Sequence, residues 1–200
     1  MPTIVCLGDS ITAGYPYAKD KSWVHLCQQK LNLDLINAGV SNDTVADMLA
    51  RYDIDVAPHH PDAVIILAGT NDAWQGIAFN TTQNNYLNLL KKVMDTPAVA
   101  ILGLPAPIIK EKVHDYYQLP NVEAFNLRLN EIRSWIKLHA KDNGLNLFDF
   151  YQPLCQSGTD QGNAELYYHD GGHPNIRGYQ ILAQNIEKPL LKLAHNLQRL

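Results

Sequence analysis

Short apolar runs recur along the chain at Thr3 to Leu7, Leu33 to Ile36, Ala63 to Leu67, Val99 to Leu102 and Leu145 to Phe148, and the stretches between them carry helical spacing. Runs this short suit strands of a covered sheet. Their alternation with helical segments predicts an α/β chain with a parallel sheet and helices packed on both sides. Before the fourth run, Tyr86, Leu89, Leu90, Val93 and Met94 fall at i, i+3, i+4, i+7 and i+8, one apolar stripe of a helix that Pro97 helps to end. Val122 to Lys141 repeats the pattern with Phe125, Leu129, Ile132 and Ile136, and Asn143-Gly144 supplies a stop that tolerates left-handed backbone. A last helix is expected after Pro174, with Tyr179, Leu182, Ala183 and Ile186 inward and Pro189 kinking or restarting it. Pro105 to Pro120 and Tyr151 to Gly172 match no element. They are long for connections in a compact α/β domain, and such connections usually carry function or move, so substrate contacts are expected there.

The length of 200 residues, with no internal repeat and no Ser/Gly-rich linker, sets the expectation of one domain spanning residues 1–200. Apolar residues at 46% and charged residues at 18% exclude the disordered, collagenous and coiled-coil classes. Lys plus Arg total 16 against 20 Asp plus Glu, a formal charge of −4, and no basic run could follow a phosphate backbone. Nucleic acid is therefore not expected as a partner. Cys6, Cys27 and Cys155 are odd in number and far apart, without zinc or disulfide spacing, which fits a reducing compartment. Met1 to Leu7 runs straight into an apparent core strand with no secretory pattern, so a cytoplasmic location is expected. No apolar stretch approaches the roughly 20 residues of a bilayer-spanning helix. The mixed-charge exterior fits monomer and dimer alike.

Candidate chemistry sits where apparent strands end. The first ends in Gly8-Asp9-Ser10-Ile11-Thr12, a sharp turn with a hydroxyl at the carboxyl edge of a strand, where open parallel sheets bind ligands. Gly8 allows the turn, and a serine just beyond it can present both Oγ and its own N–H to one space. The bland alternative is a helix N-cap. Near the other end stands Asp170-Gly171-Gly172-His173-Pro174-Asn175. A carboxylate three residues before an imidazole, joined by two glycines, can reach Nδ1 and leave Nε2 free to take a proton. Its alternative is a solvated turn before a helix whose first position is Pro174. Two further loops, Asn37-Ala38-Gly39 and Gly69-Thr70-Asn71-Asp72, could bring the Gly39 N–H and the Asn71 amide beside the Ser10 N–H as donors to an oxyanion. Gly39 would leave room for that approach, although turn chemistry alone accounts for such residues.

Taken together these four blocks resemble the SGNH or GDSL hydrolases: Gly8-Asp9-Ser10 with Ile11-Thr12, Gly39 within Asn37-Ala38-Gly39, Gly69-Thr70-Asn71-Asp72, and Asp170-Gly171-Gly172-His173-Pro174, in family order from residue 8 to residue 174. The departure is Ile11 where the family's first block has leucine, one aliphatic for another. The resemblance implies a three-layer α/β/α sandwich around a parallel five-stranded, flavodoxin-like sheet. It implies Ser10 as nucleophile, with Asp170 and His173 completing a triad, and Ser10, Gly39 and Asn71 as the oxyanion hole. The expected activity is hydrolysis of small or short-chain acyl esters, acetylated carbohydrates among the candidates, with a small-molecule ester as partner and no metal or organic cofactor.

The rivals are weaker. His169 and His173 lie four apart, but Gly171, Gly172 and Pro174 oppose the shared helical face that metal ligands at this spacing use. A nucleotide-binding loop would need a dinucleotide or P-loop glycine pattern that Gly8 to Gly14 lacks, and Asp9 would repel phosphate. A catalytically silent module that only binds acylated or nucleotide-like ligands remains the alternative class. His59-His60 reads as a solvated pair, Cys6 and Cys27 as core. Asp9 and Asp72 read equally as helix caps or as orienting groups, and Tyr15, Tyr17, Trp74, Tyr167 and Tyr168 as pocket wall or as packing.

Overall fold

A computed structural model describes residues 1–199. Five parallel strands, β1 (Thr3–Gly8), β2 (Asp34–Gly39), β3 (Ala63–Leu67), β4 (Val99–Leu104) and β5 (Asn146–Asp149), pair in the order β2-β1-β3-β4-β5. Along each strand, side chains alternate between two cores. Ile4, Cys6, Ile65, Leu67 and Ile101 face α2 (Trp23–Leu31) and α8 (Ile176–Leu197). Val5, Leu7, Val64, Ile66 and Leu102 face α3 (Val45–Asp55), α5 (Phe79–Met94) and α7 (Val122–Asp142) on the opposite side. Coverage on both faces is why the strands read as apolar runs rather than as alternating patterns.

Several expectations shift at the edges. Asn37-Ala38-Gly39 is strand, not loop: these residues pair in register with Cys6, Leu7 and Gly8 and carry β2 two residues past the polar Asn37. In α5, Tyr86, Leu89, Leu90 and Val93 are buried as the stripe predicts, but Met94 is 60% exposed. At 100° per residue, i+8 lies about 80° off the stripe's first position, and Met94 is the helix's last residue. Helix α8 runs without interruption through Pro189. Ile186, Leu190 and Leu193 beside it are all buried. At about 1.5–3 kcal/mol apiece they outweigh the roughly 3 kcal/mol that an interior proline costs. Pro174 precedes the helix rather than opening it, because Asn175 is the cap and its side chain accepts the Gly178 N–H.

The segment from Pro105 to Pro120 contains α6 (Lys110–Tyr117), and Tyr151 to Gly172 contains two short 3₁₀ turns at Gln152–Leu154 and Ala164–Leu166. Among the described residues no helix is long and apolar enough to cross a membrane. The chain leaves β1 toward β2 on one side and returns as β3 on the other, so a crevice opens at the carboxyl ends of β1 and β3. Two short helices start there, α1 (Ser10–Ala13) and α4 (Thr70–Trp74).

Candidate active site

Ser10 occupies the first position of α1, and Asp9 is the cap, its carboxylate accepting the Ile11 N–H at 2.9 Å. The N-cap role therefore falls on Asp9 and leaves the Ser10 hydroxyl free to face the crevice. As the first helical residue, Ser10 also has an N–H that no intrahelical bond uses. From the far end of the chain, His173 Nε2 lies 2.9 Å from Ser10 Oγ, and His173 Nδ1 lies 2.7 Å from Asp170 Oδ2. A carboxylate can only accept, so Nδ1 carries the ring hydrogen and Nε2 is the acceptor for the serine hydroxyl.

The Asp170 loop is built to hold this arrangement. Its Oδ1 accepts the Gly172 and His173 N–H groups at 2.9 and 3.1 Å, and Oδ2 also accepts the Tyr117 hydroxyl at 3.1 Å. Burial raises the Asp170 carboxyl, but the hydrogen bond and charge of His173 with the two backbone donors outweigh it and hold the group below the usual carboxylate range. Gly171 adopts φ +71°, and a Cβ there would lie 2.5 Å from Lys112 Cβ and 2.9 Å from the Ile109 carbonyl, so glycine is required twice over.

Asn71, on α4, donates one amide hydrogen to the Asp43 carbonyl at 2.9 Å and lines the crevice with Ser10 and His173. Gly39 is placed differently. Its N–H donates to Asn37 Oδ1 at 3.0 Å, and a Cβ at this position would strike Ala13 N at 2.2 Å. Glycine here lets the end of β2 pack on α1, rather than leaving room for a substrate. Asp72 caps no helix of its own: Gly69 precedes α4, and the Asp72 carboxylate accepts the Val45 N–H at the start of α3 at 3.0 Å.

The crevice is a cleft of about 120 Å³ walled by Trp74, Ile108, Val113, Tyr117 and Phe125. Of the aromatic candidates, Trp74 is wall, Tyr15 stands edge-on to His173 with centroids 4.7 Å apart, and Tyr17 packs on Tyr168 and Tyr179. Tyr167 is buried with its hydroxyl donating to the Pro107 carbonyl. His169 stacks beside Tyr168 and Tyr116, while His59 and His60 are exposed. The sequence did not reveal Arg51. Its guanidinium donates to the Gly8 and Ala38 carbonyls at 3.1 and 2.8 Å and pairs with Asp43 at 2.5 Å, clamping the ends of β1 and β2 below Ser10. Tyr117 was missed too, inside a stretch with no legible periodicity.

Asp9 is 2% exposed, and burial pushes its carboxyl up to about 6 against the lowering effect of the Ile11 N–H and His173. An acid whose value rises on folding contributes stability that is complete below its unfolded value near 3.9 and is lost as pH climbs toward the folded one. Asp9→Asn, which keeps an acceptor for Ile11, should therefore gain on wild type by on the order of 2–3 kcal/mol between pH 4 and pH 7, with no further gain above. Urea denaturation across that range checks this, and a pH-independent difference would show that the carboxyl ionises at its ordinary value.

The sequence profile of the GDSL-like lipase/acylhydrolase family matches residues 6–181. The chain belongs to that family. Esterase TesA of Pseudomonas aeruginosa is 33% identical over 198 residues, covering 94% of this chain and 89% of that protein. The acetylxylan esterase of Geobacillus stearothermophilus is 41% identical over 163 residues, covering 78% and 71%. The solved lipase/acylhydrolase of Enterococcus faecalis matches the fold with a TM-score of 0.78 at 28% identity, over 95% of each chain. As a GDSL-like acylhydrolase, the chain is a carboxylic ester hydrolase on the family's parallel five-stranded frame.

Proposed function

We propose that the chain is a single-domain serine esterase for small or short-chain acyl esters, acetylated carbohydrates among them, with Ser10 as nucleophile, His173 as general base and Asp170 as its orienting carboxylate. The observation that carries this reading is the unbroken relay from Ser10 Oγ through both ring nitrogens of His173 to Asp170, opening on a 120 Å³ cleft. Ser10 Oγ attacks the ester carbonyl carbon as its proton passes to His173 Nε2. The carbonyl oxygen becomes an oxyanion facing the Ser10 N–H and the second Asn71 amide hydrogen, with the Gly39 N–H shared between it and Asn37. As the carbonyl reforms, the C–O bond to the alcohol breaks and His173 returns the proton to that oxygen. Water then repeats the sequence on the acyl-serine, releasing the acid. None of these steps calls for a metal or an organic cofactor.

A cavity of about 150 Å³ admits a benzene ring. The cleft is of that order, which supports small acyl groups as the best-covered ones. The acetylxylan esterase relative supports acetylated sugars as one such class.

Intact mass after incubation with a fluorophosphonate, which needs no guess about substrate, tests the reading. One adduct on wild type and none on Ser10→Ala is expected. No adduct on folded wild type would overturn it in favour of a module that only binds. For the oxyanion site, Asn71→Ala should cost about 10²–10³ in kcat with little change in KM. A change confined to KM would make Asn71 a substrate-binding group instead.

A further inference from the structure

The hydroxyl of Tyr117 and the imidazole of His173 donate to the same oxygen, Asp170 Oδ2, at 3.1 and 2.7 Å. The ring carrying that hydroxyl is also a wall of the cleft, set edge-on to Trp74 with centroids 5.0 Å apart. Helix α6 is fastened to the Asp170 loop at its beginning, where the Ile109 N–H donates to the Gly171 carbonyl at 2.9 Å and Lys112 and Val113 close over Gly171. At its other end Tyr117 reaches back to Asp170 and Tyr116 packs on His169, and the chain then turns through Gln118 in left-handed backbone. Tyr117 is 38% exposed, so its outer edge has room to yield toward solvent.

We propose that Tyr117 is a positioning residue that couples the acyl pocket to the triad: its hydroxyl steadies Asp170 Oδ2 while the same ring limits the acyl group, so a chain that presses the ring outward also takes a donor away from Asp170. The inference rests on the Ser10–His173–Asp170 reading and deepens it. It makes selection among acyl groups act on kcat as well as on KM, since an oversized chain loosens the carboxylate that orients the base.

The groups around this pair come from every neighbouring element. Asp9 approaches from the end of β1, Tyr15 from the turn after α1, Tyr116 from α6 itself, Tyr167, Tyr168 and His169 from the segment leading into the loop, and Tyr179 from α8. Burial and then the Asp170 charge push the Tyr117 phenol upward, so it remains a donor throughout the working range. With that donor gone, Oδ2 is less firmly placed, and so is the imidazole it aims at Ser10 Oγ.

Tyr117→Phe keeps the wall and removes the hydroxyl. With an acetyl ester its kcat should fall about 3- to 10-fold at nearly constant KM. In wild type kcat should drop from acetyl to hexanoyl esters, whereas in Tyr117→Phe that drop should largely vanish, because no hydroxyl remains to be displaced. Tyr117→Leu should accept hexanoyl esters with lower KM while keeping the lowered kcat on acetyl esters. Asp9, His169 and the remaining tyrosines are common to all three proteins and cancel in the comparison. A Tyr117→Phe enzyme with wild-type kcat on acetyl esters and wild-type chain-length dependence, still labelled at Ser10 by the fluorophosphonate, would overturn the coupling and leave the triad reading intact. A wild type not labelled at Ser10 would overturn both.

Discussion

Ser10→Ala is expected to turn over a short-chain ester at least about 10³-fold more slowly than wild type while melting within a few degrees of it. The rate follows from the loss of the only hydroxyl aligned on His173 Nε2. The residual activity would be what the oxyanion donors and the cleft achieve with water as nucleophile. The small effect on stability follows from what the side chain does not do. The cap of α1 is Asp9, and the Ser10 hydroxyl bonds to His173, a cleft-lining side chain 17% exposed, rather than to a core group. Removing it leaves no polar atom stranded in the core. Steady-state kinetics beside a thermal melt check both halves. Activity within tenfold of wild type would move the nucleophile elsewhere, and a collapsed melting curve would make Ser10 a structural residue.

What the sequence made legible follows from how locally each feature is determined. A strand covered on both faces announces itself in five or six consecutive residues, and Ala63–Leu67 matches the expected run at both ends. Helix α7 announces itself by four buried positions in register. Helix α6 has Val113 as its one buried residue and holds its place through contacts to the Asp170 loop, so no periodicity marks it. The site divides the same way. Ser10, Asn71, Asp170 and His173 stand in short blocks whose glycines and caps fix the backbone locally, and the fold brings them together as those blocks suggest. Arg51 and Tyr117 reach the site across the fold, one on the carbonyl of Gly8 and the other on the carboxylate of Asp170, and nothing in their own neighbourhoods points there. Gly39 shows a third case. Its type was legible, but its reason, the backbone of Ala13 pressed against it, exists only once α1 lies on β2.

The carboxylate gives the other large effect. Asp170→Asn is expected to lower kcat by about 10⁴-fold with the site's geometry almost unchanged. The two backbone donors from Gly172 and His173 both point at Oδ1, so the amide oxygen of asparagine is held at that position. The NH₂ group must then occupy the place of Oδ2, facing His173 Nδ1 and the Tyr117 hydroxyl. Donor meets donor unless the imidazole gives up its Nδ1 hydrogen, and a neutral ring that does so carries the hydrogen on Nε2, aimed at Ser10. In that tautomer the base cannot take the serine proton. Stability should respond as well. A carboxyl held below its ordinary range contributes stability that is present above the unfolded value near 3.9 and is lost as pH falls through the folded one. The variant should therefore melt below wild type at pH 7, and the gap should close only as pH falls below about 3.9 toward the folded value. Kinetics at pH 7, with melts followed from pH 7 down through the acid range below that value, test the pair of expectations. A kcat within tenfold of wild type would show that His173 keeps its working tautomer without Asp170, and the carboxylate would then serve the loop rather than the reaction.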